Sequence, residues 1–286
     1  MLTFHIYDVF TDTPFTGNPL AIVEAADALT AAQMQTIARQ FNLSETIFIQ
    51  TPDDPAHTAK VRIFFPTAEI PFAGHPTIGC ALHLAQGVDT TITLEEVAGL
   101  VPVTITNGTA EFTAPKLPKA QPNQPDAATL AAALGLPREA LIAQSHFEGG
   151  PTFIYAELRN LDDLANAKIT GPAYEDVIAQ AQGTAAIYAF AKTAPDHIRA
   201  RMFDPAAGIP EDPATGSATA ILAGHLAATG AIVPNGTNSF QMEQGVEMGR
   251  PSKLRLTIDS QNGAPTAIRV AGQAVPVAQG QTKIPT

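Results

Sequence analysis

One pattern constrains this chain more than any other: Arg-x-Phe-x-Pro-x-Ala-x-Ile-Pro occurs at residues 62–71 and again at 201–210, with six of ten positions identical. Each copy follows an apolar run and leads through a glycine turn into an Ala-rich apolar stretch. Two helices are predicted there. The first, over 76–86, has proline at its opening position and Gly87 as its stop; the second, over 217–229, has Thr215 or Ser217 as its cap and Gly230 as its stop. Aligned on Gly74 and Gly216, they share Thr77 with Thr219, Ala81 with Ala223, His83 with His225 and Leu84 with Leu226. Both are apolar on nearly every face, which puts each at the centre of its own half and makes His83 and His225 core or interface histidines. A duplicated unit, and so two similar halves, is the expectation. The second copy carries three extra residues, Glu211, Asp212 and Pro213, directly before its glycine turn.

Elsewhere, residues 91–115 and 254–281 alternate like strands, the former with an Asn-Gly turn at Asn107, while 25–41 and 126–136 read as helices. The fold class is therefore α+β. The polar, Pro-rich stretch 115–125 reads as a linker, dividing the chain into halves 1–118 and 119–273, and 274–286 is a strand candidate that can return to the first half.

A net charge of -11 argues against nucleic acid or an anionic membrane as partner, since both require a positive field. The first residues lack the features of a signal peptide and no apolar run reaches bilayer length, so a cytoplasmic protein is expected. The single cysteine, Cys80, excludes an intramolecular disulfide and any multi-thiolate metal site.

An acidic chain can still bind an anion at a helix start, where free amide hydrogens and the helix dipole supply positive potential. The residues at the two predicted starts are Gly74, His75 and Pro76, and Thr215, Gly216 and Ser217; glycine lets a ligand approach the backbone closely. A small carboxylate-bearing substrate is the natural guest. Asp212 either caps its helix or faces that ligand. Glu45 follows a predicted helix, and its apolar neighbours Leu43, Ile47 and Phe48 suit a strand that carries the carboxylate inward, where partial burial fits it to take and return a proton.

Five stretches carry a family resemblance: VFTDTPFTGNPLAIV at 9–23, NLSETIFI at 42–49, RIFFPTAEIPFAGHPTIGCA at 62–81, FDPAAGIPEDPATGSA at 203–218 and EQGVEMGRPS at 243–252. With them the chain resembles the PhzF-like proteins of the diaminopimelate epimerase-like superfamily. The resemblance implies two pseudo-symmetric domains, each a mixed β-sheet or barrel wrapped around a central helix, with the active site in the cleft between them. It implies that Glu45 moves a proton between substrate carbons, that His75, Asp212 and Ser217 assist, that no metal or organic cofactor is needed, and that the protein is a homodimer. Related racemases use two cysteines, one before each helix turn; here those places hold Ala73 and, roughly, Pro213, so a single-carboxylate proton shift is favoured over two-thiol epimerisation. Thr215, Gly74, Gly216 and Asn18 are further candidates for contact with substrate, Asn18 leaning structural, as do Arg62 and Arg201. A lyase using the same base, and a non-catalytic binding module on the same fold, fit the same residues.

Overall fold

The computed structural model describes all 286 residues. The chain divides into two units, Met1–Thr113 with Ala271–Thr286, and Ala114–Val270. In chain order the first contains β1 (Leu2–Val9), β2 (Asn18–Val23), α1 (Ala31–Phe41), β3 (Glu45–Gln50), β4 (Ala59–Phe64), β5 (Glu69–Ile70), α2 (Gly74–Ala85), β6 (Thr90–Glu96), β7 (Gly99–Thr106) and β8 (Thr109–Thr113). The second contains β9 (Lys119–Ala120), α3 (Ala127–Ala133), β10 (Leu141–Glu148), β11 (Thr152–Leu158), α4 (Leu161–Asn166), α5 (Gly171–Gln180), β12 (Ile187–Ala194), β13 (His197–Asp204), β14 (Ile209–Asp212), α6 (Gly216–Ala228), β15 (Gly236–Gln244), β16 (Ser252–Gln261) and β17 (Ala264–Gly272). The last strand, β18 (Ala274–Thr282), pairs antiparallel with β1.

The two units are built to one plan. In the first, β18, β1 and β2 run antiparallel, β2 and β3 parallel, β3 and β4 antiparallel, β4 and β6 parallel, β6 and β7 antiparallel. In the second, β9 to β13, then β15 and β16, repeat that alternation step for step. Each parallel β4–β6 or β13–β15 step needs a crossover, and α2 or α6 supplies it. Both helices are buried along nearly their whole length. Small residues permit this: a Cβ on Gly79 of α2 would stand 2.6 Å from Leu20 Cδ2, so only glycine lets β2 lie this close.

Register gives the residue correspondence. Phe48 pairs with Arg62 where Ala189 pairs with Arg201, so Glu45, three residues before Phe48, corresponds to Ala186. Ala59 pairs with Leu94 where Ile198 pairs with Met242, so Glu96 corresponds to Gln244. Arg62 forms a two-point ion pair with Glu69 and lies over the Phe64 ring; Arg201 does the same with Glu211 and Phe203.

That last match corrects the sequence alignment. Glu211 stands where Glu69 stands, and Asp212 pairs with Met202 as Ile70 pairs with Ile63. The three extra residues of the second copy therefore lie in the tight turn around Pro205–Ala207, upstream of Glu211, and not directly before α6. The identical Ile-Pro letters pulled the alignment the wrong way, while the ion pair fixes the true equivalence.

Two further expectations change. The Pro-rich segment is less free than a linker, because Lys119 and Ala120 already pair with Glu148 and Phe147; the units divide at Thr113, where Ala114 N–H donates to Ile268. The helices α4 and α5, absent from the sequence reading, pack with α3 and Ile154, Ile187 and Phe203 into the core of the second unit. In the first unit α1 puts Met34 and Ile37 against Phe48 and Phe64. No helix is long and apolar enough to cross a membrane.

Candidate active site

In the first unit the site is built where β2, β3 and the start of α2 meet. Glu45 opens β3 opposite Leu20 in the parallel pairing with β2, and it is buried. His75, in the first turn of α2, is also buried, and its Nδ1 lies 3.2 Å from Glu45 Oε2. Burial drives the His75 pKa down to about 3, against a smaller opposing effect of its hydrogen bond to the Pro19 backbone. Near neutral pH this ring is uncharged, and its Nε2 is buried with no hydrogen-bond partner. Asn18, fully buried, heads β2 beside Pro19.

The start of α2 itself is unusual. Thr30, Asp126 and Asn160 cap α1, α3 and α4 with their side chains, whereas no side chain caps α2 at Ala73 or α6 at Thr215; α5 also lacks one. Helix starts left open in this way keep amide hydrogens for a ligand. Behind the first turn of α2, Thr77 Oγ1 lies 2.7 Å from both the Ala73 carbonyl and Glu96 Oε1. Burial raises the Glu96 pKa to about 8. A pKa there favours the protonated carboxyl near neutral pH, with the Thr77 hydroxyl placed to donate to Glu96 Oε1 or to the Ala73 carbonyl and opposing part of that rise. Cys80 is fully buried in α2, and burial pushes its thiol pKa up so far that no thiolate forms.

In the second unit the corresponding helix start gathers Asp212, Thr215, Gly216 and Ser217. Contrary to the expectation from sequence, Thr215 does not cap α6 with its side chain; its hydroxyl donates to Asp212 Oδ2 at 2.5 Å. Gln244, fully buried at the end of β15, binds this segment three times. Its Nε2 donates to the Asp212 carbonyl at 2.7 Å and to Thr215 Oγ1 at 3.0 Å, and its Oε1 accepts from Thr215 N–H. The following Gly245 has φ +74°, and a Cβ there would stand 2.7 Å from the Pro213 carbonyl oxygen, so glycine is required beside the Asp212 turn. Ser217 sits half-buried in the first turn of α6. Gln244 and Glu96 were missed in the sequence because each is one polar residue in an alternating strand; only the register identifies them as a pair.

Comparison with known proteins agrees with this architecture. The family of the Phenazine biosynthesis-like proteins matches residues 7–280. An uncharacterized isomerase of Mesorhizobium japonicum is 36% identical, covering 96% of this chain and 97% of the relative. The trans-2,3-dihydro-3-hydroxyanthranilate isomerase of Pseudomonas aeruginosa is 34% identical over 98% of this chain and 99% of its own length. A crystal structure of a PhzF-family phenazine biosynthesis protein from Bacillus anthracis superposes with a TM-score of 0.88 at 24% identity, each chain covered to 99%. The chain belongs to the phenazine biosynthesis-like, or PhzF, family. It is an isomerase of that family.

Proposed function

We propose that this isomerase moves a proton between two carbons of a small carboxylate-bearing substrate, with Glu45 as the group that takes the proton and returns it, and without an organic cofactor. The observation that carries the reading is the buried pair Glu45 and His75. Glu45 is a buried carboxylate with an uncharged imidazole 3.2 Å away, the pairing of a proton acceptor with a positioned neighbour that general acid–base chemistry uses. The uncharged His75 ring also has a free buried nitrogen to offer a substrate hydroxyl or amine. The open start of α2 at Gly74 supports a carboxylate on the substrate, and the equivalent start of α6 carries its own polar groups, Asp212, Thr215 and Ser217.

The P. aeruginosa relative makes trans-2,3-dihydro-3-hydroxyanthranilate the first compound to try. With it, Glu45→Gln should lower kcat by about 10²- to 10⁴-fold, the usual contribution of a positioned acid–base group, with little change in thermal stability. A Glu45→Gln enzyme that turns over within a factor of a few of wild type would refute the role of Glu45.

A further inference from the structure

We propose that His5, Glu24 and His83 form a binding site for a divalent transition-metal ion of the zinc class, at the other end of α2 from His75. The eight residues from His75 to His83 span about 12 Å of helix, so this cluster is separate from the Glu45 pair. His5 Nε2 and His83 Nε2 lie 3.1 and 3.0 Å from the same oxygen, Glu24 Oε1, and all three ligand atoms fall within 4.8 Å of one another. Ligands about 2.0–2.1 Å from a tetrahedral zinc stand about 3.3 Å apart, so each histidine nitrogen lies within a few tenths of an ångström of the separation from Glu24 Oε1 that an ion needs, and the two nitrogens, within 4.8 Å of each other, are in reach of the same ion.

The surroundings suit a metal more than a simple ion pair. Tyr7 OH sits 3.2 Å from His83 Nδ1 and orients Nε2 towards Glu24, the second contact typical of a ligating histidine. The hydroxyl can donate to Nδ1 or accept from it, so the contact survives the change of tautomer that metal binding requires. Glu24 is 40% exposed, which leaves a path for the ion and room for a water as fourth ligand.

The second unit explains what the ion would replace. There His225 Nε2 contacts Glu157 Oε2 at 3.2 Å, its Nδ1 meets Ser145, and Lys192 Nζ lies 3.0 Å from Glu157 Oε1. Register puts Ser145 where the first unit has His5, and Thr51 where the second has Lys192. One unit thus carries its own cation on the glutamate, and the other carries a second imidazole instead. Bound there, the ion ties β1 and the end of β2 to the last turn of α2. No metal was expected from the sequence, because the three residues are 78 positions apart and follow no motif.

Tag-free, chelator-treated protein titrated with Co²⁺ tests this directly. One equivalent should bind with visible d–d absorption, be displaced by Zn²⁺ and raise the Tm. His5→Gln and Glu24→Gln should each abolish the band, whereas His57→Gln and His197→Gln, whose histidines lie elsewhere, should retain it. Failure of wild type to bind one equivalent, or an unchanged spectrum in both His5→Gln and Glu24→Gln, would overturn the proposal.

Discussion

The starts of α2 and α6 occupy the same place in two units of one design, yet they carry different chemistry. At the first, β3 offers Glu45, the residue before Pro71 is Ile70, the helix opens with His75, and the strand behind it ends in Glu96. At the second, the equivalents are Ala186, Asp212, Ser217 and Gln244. What both units keep is scaffold: the strand alternation, the arginine–glutamate pair under a phenylalanine, and a histidine–glutamate contact low on the central helix. The two units share what holds the fold, while the acidic group stands on β3 in one and on β14 in the other. The acid on β3 faces an uncharged ring; the acid on β14 accepts a hydroxyl hydrogen.

The most sensitive point of that comparison is Glu96 against Gln244. Both act as neutral polar groups behind a helix start, but one achieves this only by staying protonated. Because its pKa is raised from 4.5 to about 8 on folding, the folded state binds more protons than the unfolded one between those values. Stability from this group is therefore full below about pH 4.5 and falls as pH rises towards 8, with a slope of up to about 1.4 kcal/mol per pH unit. Glu96→Gln should remove that slope, leaving the variant more stable than wild type at pH 8–9 in thermal unfolding. Gln244→Glu should have the opposite effect, losing the donor to Asp212 and Thr215 and importing the same slope. Parallel curves for wild type and Glu96→Gln would break the equivalence.

The two arginines differ by burial. Arg201, 8% exposed, adds hydrogen bonds from its guanidinium to the carbonyls of Leu164, Ala165 and Ala167, whereas Arg62 has the carboxylate alone and more solvent. Arg201→Met should cost about 3–5 kcal/mol, because it strands a half-buried Glu211 and three carbonyls in the pocket that the buried guanidinium leaves. Arg62→Met should cost about 1 kcal/mol or less. Urea midpoints measure both, and equal losses would mean that burial is not what separates them. A smaller effect is expected at the second helix start. Thr215→Val removes the hydroxyl held by Asp212 and Gln244, for about 1 kcal/mol.

These contrasts also show what could be read in the letters. The repeated decapeptide revealed the duplication, and the glycine turns located both central helices to within two residues, because glycine, proline and alanine mark helix ends and buried faces by their own conformational physics. The equivalence of Glu211 with Glu69 could not be read there, since identity of Ile and Pro outweighs an ion pair that exists only after folding. Glu96, Gln244 and the His5–Glu24–His83 cluster were equally silent: their meaning lies in register between strands far apart in sequence. Glu45 and His75 were candidates from their places at a strand start and a helix start and from the motif, and the fold puts them 3.2 Å apart.

The central claim, that Glu45 is the proton carrier, is tested most directly by a single turnover of trans-2,3-dihydro-3-hydroxyanthranilate in deuterated water, with the label followed by NMR in wild type and Glu45→Gln. The account predicts deuterium at the carbon that receives the proton in wild type, diluted by any hydrogen that Glu45 returns before exchanging, and no label or product in Glu45→Gln on the same timescale. Product formed by Glu45→Gln with the same labelling would contradict it.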